Sequence, residues 1–443
     1  MASLKQKKIT LLLFLLLHLV LLVNTRFTVW PEMVLYPYLL NNGFLLYKDI
    51  INPYFPTLPL VLSGVFQLLG DSVLSLKIFT WFVILLSDIV LYYSAFRLTG
   101  SKFKSVLTVL FFALLQMSLG GNGLWFELFL VPFVAPAVTL VLKDNNSPNR
   151  LMLAGLLLAL AISIKQNAIY FYVPVIFYLF SKEKFSKLVY LLAPGILVMG
   201  FFLIYLFSQN IFNDFYLWAV VLPLSYTSQP GFVSLPAIRQ YIFILFPLVT
   251  LFFGVFLHKK YLNKEKIYWL LTFLSATIFA FPRYEDFHLQ LVVAISSLFV
   301  SFLPRNVLVV FTLVTLILFG RGVTKNWHTE DRFMDRETIG LSSKIKDFNN
   351  VYSLNGPDLA YFLSGKLPSK PWAINFPWYF EQEGFEERFV KGLSDREFII
   401  AGDRLGGGKY DLGNYIPEKI EQYILANYKM KERYKNYQIW QKN

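Results

Sequence analysis

The chain has 443 residues, 56% of them hydrophobic and only 16% charged, which excludes an ordinary soluble assembly of two or three domains and makes lipid the solvent for most of it. Its formal charge of +13 falls between apolar runs and forms no basic stripe interleaved with aromatics, so the excess reads as membrane topology and nucleic acid is excluded as a partner. The absence of cysteine removes thiol catalysis, Cys-ligated zinc and disulfides together.

Apolar runs cover residues 9–24, 77–96, 104–119, 126–142, 151–164, 168–180, 188–207, 241–257, 267–282, 287–303 and 306–320. They predict about eleven membrane-spanning helices, several of them shorter than the roughly 20 residues a perpendicular crossing requires. The first run is basic and then apolar, like a signal peptide, but no small-residue cleavage site follows it. It continues into Asn24-Thr25-Arg26 and is read as the first span.

With the N-terminus cytoplasmic, the inner loops collect Lys5, Lys7, Lys8, Arg97, Lys102, Lys104, Lys143, Arg150, Lys182, Lys184, Lys187, Lys259, Lys260, Lys264, Lys266 and Arg305. The outer ones hold only Arg26, Lys48, Lys77, Lys165, Arg239 and Arg283 between the first and last spans. This bias predicts a multi-pass plasma-membrane protein whose residues after Gly320 are extracytoplasmic. The fold class expected is all-α polytopic over 1–320, with a long outer loop at 25–76, and a small extracytoplasmic α/β domain over 321–443. The long non-membrane segments share one face, where the work of the protein is expected. No Walker A lysine motif occurs, which argues against an ATP-driven pump.

In the tail, Val351-Tyr352-Ser353-Leu354 and Phe398-Ile399-Ile400-Ala401-Gly402 read as strands, Asp358 to Ser364 and Pro417 to Tyr428 as helices, and Tyr437 to Trp440 as a last strand. The run Gly406-Gly407-Gly408 has the composition of a phosphate loop. It lacks the following helix and a Ser or Thr after Lys409, so it reads as a turn.

Ionisable groups beside membrane helices are costly and become candidates for function. Here they cluster on the outer side: Glu32, Tyr47, Lys48 and Asp49 in the first segment, Glu127 in the second turn, Lys165-Gln166 in the third, and Arg283, Glu285, Asp286 and His288 before the tenth span. An acidic group at the membrane face can serve as a general base, and Lys or Arg can hold an anionic phosphate. Each also has a structural rival. Glu32 could cap a helix after Pro31, Asp49 could hold a turn, Glu127 could complement a helix dipole, Lys165 could snorkel, and Arg283 and His288 could join a local salt-bridge cluster.

The first segment, with Glu32, then Gly43, Tyr47 and Asp49, then a Pro-rich stretch, resembles the acidic motif and Gly-x-x-x-Tyr-x-Asp pattern of C-type membrane glycosyltransferases. That group contains protein O-mannosyltransferases and the aminoarabinose transferase of lipid A. Glu127, the Lys165-Gln166 pair and Arg283 followed by His288 are similar too, in the same order, as is an external α/β domain. Where such enzymes often carry Asp or an Asp-Glu pair, this chain has Pro31-Glu32.

The resemblance implies inverting transfer of a sugar from a polyprenyl-phosphate donor to a protein, lipid or glycan acceptor on the outer face. Glu32 would be the general base. Lys165, Arg283 and His288 would bind donor phosphate, while Asp49, Glu127, Tyr47 and Gln166 would shape the site. A divalent metal is compatible with the carboxylates, but no ligand spacing demands one. The alternative is a transporter or flippase of a lipid-linked sugar, against which stand the lack of an internal repeat and the interfacial placement of the charges. A sensor or scaffold would leave the outer acids unexplained.

Overall fold

The structure, a computed structural model, describes residues 2–142, 147–182, 185–225, 263–281, 283–402 and 417–443. The apolar run at 241–257, the glycine run at 406–408, and Lys143, Lys184, Arg239, Lys259 and Lys260 lie outside these residues.

Long apolar stretches become helices because most backbone polar groups are then satisfied within the segment, even where Pro37, Pro132, Pro136 and Pro194 interrupt a helix. In chain order these are α1 (Ala2–Asn24), α2 (Pro31–Asn41), α3 (Thr57–Leu69), α4 (Val73–Thr99), α5 (Lys102–Ser118), α6 (Phe126–Leu140), α7 (Pro148–Ile164), α8 (Tyr172–Ser181) and α9 (Leu188–Ser208). After them come α10 (Asn263–Ala280), α11 (Gln290–Val300) and α12 (Arg305–Asn326). Ten of the predicted apolar runs thus coincide with helices. The segment 25–76, expected as a loop, carries α2 and α3.

By length and composition, two helices among the described residues are long and apolar enough to cross a membrane, Val73–Thr99 and Phe185–Ser208. Ile9–Asn24, Phe126–Leu140 and Pro148–Ile164 are apolar but shorter, so the expectation of about eleven full spans is not reproduced by this measure. The apolar surface is nonetheless turned outward: Leu12, Leu13, Leu16 and Leu17 on α1 and Ile196, Leu197, Phe201 and Ile204 on α9 are exposed. Surface of this kind marks contact with lipid or with another apolar partner.

Contacts divide the chain into two units. The first takes the described residues of Met1–Phe27, Lys77–Tyr205 and Val233–Thr329. Its centre is α11, every residue of which is buried. Helices α7 and α9 cross closely at Gly155, where a Cβ would stand 2.0 Å from Leu191 O, so only glycine permits the approach. His18 and Asp88, polar groups inside predicted spans, pair with each other at 2.6 Å and join α1 to α4.

The second unit takes the described residues of Thr28–Leu76, Leu206–Phe232 and Glu330–Asn443. Its C-terminal part contains α13 (Arg336–Ile345), β1 (Val351–Leu354), α14 (Leu359–Ser364), α15 (Phe385–Leu393), β2 (Phe398–Gly402), α16 (Glu418–Asn427), β3 (Tyr428–Tyr434) and β4 (Tyr437–Lys442). The sheet order is β1-β2-β4-β3. β1 and β2 are parallel, Val351 opposite Phe398, and β4 runs antiparallel to β2 and β3. Leu341 and Ile345 of α13 close a core with Val351, Ala360, Phe398, Ile400 and Ile439. The strands at 351–354 and 398–402 and the helix before Ser364 stand where the residues predicted them. The edge strand β3 was not expected: it carries Lys429, Lys431 and Arg433, charges that guard an unpaired edge and hide its strand character.

The same unit joins residues 28–76 to this domain. Trp372 N donates to Asp49 O and Ile51 N to Trp372 O. The rings of Tyr38 and Phe362 meet edge to face at 5.3 Å, packing α2 against α14.

Candidate functional site

In the first unit, three predicted residues from three separate segments meet. Glu127 lies in the first turn of α6, where the helix dipole favours an acid. The turn that delivers it needs Gly121, because a Cβ there would stand 2.6 Å from Gln116 O and 2.7 Å from Gln290 Oε1. Lys165 follows the end of α7 in an extended conformation, φ −147° and ψ 121°, before the 3-10 turn Gln166–Phe171. His288 sits in the 3-10 turn Asp286–Leu289 that leads into α11.

One carboxylate oxygen, Glu127 Oε1, accepts from Lys165 Nζ at 2.5 Å and from His288 Nδ1 at 2.7 Å. The three side chains are almost closed to solvent, with residue exposures of 0% for Glu127, 6% for Lys165 and 5% for His288. The other oxygen, Glu127 Oε2, has no hydrogen-bond partner among the described residues. The ammonium stands 4.9 Å from the centre of the Phe279 ring, and the His288 ring packs edgewise on Trp125 at 6.0 Å. In such surroundings the Lys–Glu attraction is weakly screened, and a cation beside it is a strong partner for a further anion.

The structure does not draw every candidate of this unit into the cluster. Arg283 donates from Nε at 3.1 Å and Nη2 at 2.6 Å to Glu285 Oε1, the local ion pair that was its structural rival. Gln166 begins the turn after Lys165 and is half-buried.

In the second unit, Glu32 opens α2 directly after Pro31, whose fixed φ suits a first helical position, and is 7% exposed. Tyr36 lies one turn further on the same face, its hydroxyl held well above the usual range by burial and, next, by the Glu32 charge. Arg332 braces the entry to α2 by lying over the Trp30 ring at 5.3 Å. Tyr47 is buried at a positive φ of 68°, with its hydroxyl donating to Tyr54 O at 2.9 Å. Asp49 holds the loop: its Oδ2 accepts from Leu45 N at 2.9 Å and pairs with Lys370 at 2.8 Å. The Gly-x-x-x-Tyr-x-Asp pattern here is a set of loop braces.

One acid of this site was not singled out by the sequence. Asp358 precedes α14, is 1% exposed, and has an oxygen, Oδ2, without a partner among the described residues. Trp372, whose ring meets Tyr36 edgewise at 6.1 Å, donates from Nε1 to Asp358 Oδ1 at 3.4 Å. Burial raises the carboxyl of Asp358 well above the usual range; the Trp372 bond lowers it and the Glu32 charge raises it again. A raised acid binds a proton in the folded state that it has already lost when unfolded. Stability should therefore fall as pH climbs above the ordinary carboxylate range, by up to about 1.4 kcal/mol per pH unit, until Asp358 itself ionises. The Asp358→Asn protein should lack that slope in unfolding followed across pH; an unchanged slope would remove Asp358 as its source.

Among the described residues no group of three or more His, Asp or Glu side chains could hold a metal ion. Glu127 is already engaged by Lys165 and His288.

The chain shares its fold with two solved proteins, an ArnT and an archaeal oligosaccharyltransferase. Residues 52–207 match the family described as dolichyl-phosphate-mannose-protein mannosyltransferase. ArnT from Cupriavidus metallidurans bound to undecaprenyl phosphate superposes with a TM-score of 0.65 at 11% identity, covering 97% of each chain. The apo form of that protein gives 0.62 at 10% identity, covering 99% of this chain and 98% of that one. The archaeal oligosaccharyltransferase AglB from Archaeoglobus fulgidus, in complex with an inhibitory peptide and a dolichol-phosphate, gives 0.56 at 11% identity, covering 89% of this chain and 70% of that one. By sequence, no curated protein matches. The family model covers about a third of the chain, a stretch that includes Glu127 and Lys165, and the shared fold covers nearly all of it.

Proposed function

We propose that this protein transfers a sugar from a polyprenyl-phosphate donor to a hydroxyl-bearing acceptor on the outer face of the membrane, with inversion. The observation that carries the reading is the buried Lys165–Glu127–His288 cluster, set in a fold shared with a protein that binds undecaprenyl phosphate. Lys165 and His288 would hold the donor phosphate, and Glu127 would orient both by taking one hydrogen bond from each. Arg283 would contribute by exchanging Glu285 for the phosphate. In the second unit Glu32 would take the proton of the acceptor hydroxyl as its oxygen attacks the anomeric carbon. The bond from that carbon to the phosphate breaks, and polyprenyl phosphate leaves with its electron pair.

The test is to incubate membranes containing the protein with radiolabelled polyprenyl-phosphate sugars and membrane extracts as acceptor source. Label should leave the polyprenyl carrier, and Lys165→Met at matched expression should reduce that transfer by about 100-fold or more, as loss of a charged phosphate partner does. Absence of transfer with every donor would overturn the reading.

A further inference from the structure

The C-terminal domain carries an open groove of about 790 Å³, within the range of saccharide-sized sites, whose walls include Asn349, Asn350, Lys366, Lys370, Arg396 and Glu397. Three cations face one acid there, and Asp49 offsets a single one of them, Lys370, at 2.8 Å. Neither of the other two forms an ion pair among the described residues. The Lys366 ammonium has no hydrogen-bond or ion-pair partner among the described residues. Among the described residues the Arg396 side chain reaches the carbonyls of Leu367 and Pro368, at 3.5 and 3.4 Å, and its enclosed Nε has no hydrogen-bond partner.

A guanidinium whose Nη groups make only long bonds to carbonyls can exchange them for a stronger, charged acceptor. A planar oxyanion gives it two parallel bonds. The amides of Asn349 and Asn350, both exposed, supply the paired donor and acceptor that sugar hydroxyls take. The groove also continues into the first outer segment, because Lys370 bonds Gly43 O and Asp49 as well as lining the wall.

We propose that this groove binds an anionic saccharide, one bearing a phosphate or a carboxylate, as the recognition element of the acceptor. The word acceptor rests on the glycosyl-transfer reading; the binding of an anionic sugar does not. Lys366 and Arg396 take the charged group, Asn349 and Asn350 take hydroxyls, and the pair between Lys370 and Asp49 fixes the wall between groove and outer segment.

The experiment uses the full chain in phosphatidylcholine nanodiscs, titrated with glucose 1-phosphate, glucuronic acid and glucose in the absence of any donor. Both anionic sugars should bind at least about tenfold more tightly than glucose, with an affinity that falls as salt rises. Lys366→Glu, which reverses a charge without removing a hydrogen bond, should weaken them about tenfold, and Arg396→Ala should do so again. Equal binding of glucose and glucose 1-phosphate, or unchanged binding in both variants, overturns the proposal. So does competition by phosphatidylglycerol added to the nanodiscs, which would assign the groove to lipid headgroups. Binding by a protein that transfers no sugar would sink the glycosyl-transfer reading and leave the groove. In an active protein, Lys366→Glu should raise KM for anionic acceptors and leave KM for the donor unchanged; equal effects on both would remove acceptor recognition from the groove.

Discussion

Glu32→Gln is expected to lower sugar transfer about 10²- to 10⁴-fold, the range that a positioned general base contributes. Glutamine keeps the shape and the helix start after Pro31, so the loss would report the missing proton acceptor and not a misfolded α2. Binding of polyprenyl phosphate, read as a rise in thermal unfolding temperature, should be the same in both proteins because the donor-holding residues Lys165 and His288 belong to other segments. Transfer equal to wild type would move the base to another group. Loss of transfer together with loss of polyprenyl phosphate binding would reassign Glu32 to the donor.

What could be read from the residues follows from which forces leave a periodic or compositional mark. Lipid-facing helices are apolar around their whole circumference, so ten runs were visible as runs, although composition fixed neither their length nor how many cross fully. Strands β1 and β2 were visible because they are short, apolar and flanked by turn residues. Helices α2 and α3 were not, since Pro37 within one and the Pro-rich approach to the other read as loop, and neither is long enough to suggest a span. Tertiary packing decided for helix: α2 is buried from Pro31 to Leu39.

Order and sidedness along the sequence drew attention to Glu127, Lys165 and His288, but not to their meeting on one carboxylate oxygen. Their separations of 38 and 161 residues carry no period that could announce it. Asp358 left still less of a mark: an acid after Gly356-Pro357 and before an apolar helix is the ordinary start of a helix. What distinguishes it is burial beside Trp372 and the Glu32 charge, which exists only once the domain has folded. The Gly43, Tyr47, Asp49 spacing was legible as a pattern, and its local work as loop braces emerged only with the partners Leu45, Tyr54 and Lys370.

The largest effect on stability should come from Glu127→Ala. It leaves the Lys165 ammonium buried without its counter-charge and His288 Nδ1 without its acceptor, and breaking one side of a buried ion pair typically costs about 3–5 kcal/mol. The thermal unfolding temperature in detergent should fall accordingly, while Glu127→Gln, which still accepts a hydrogen bond, should lose less. Replacing both partners, Glu127→Leu with Lys165→Met, removes the uncompensated charge as well as the attraction. It should regain most of the lost stability, because paired charges and apolar residues of similar volume are often nearly equivalent in a protein interior. Transfer should stay lost in that double variant, since the Lys165 ammonium proposed to hold the donor phosphate is gone and His288 has lost the Glu127 carboxylate that orients it. Recovery of stability without recovery of activity would separate the cost of burying these charges from the reason they are there. A Glu127→Ala protein as stable as wild type would mean that the pair does not form.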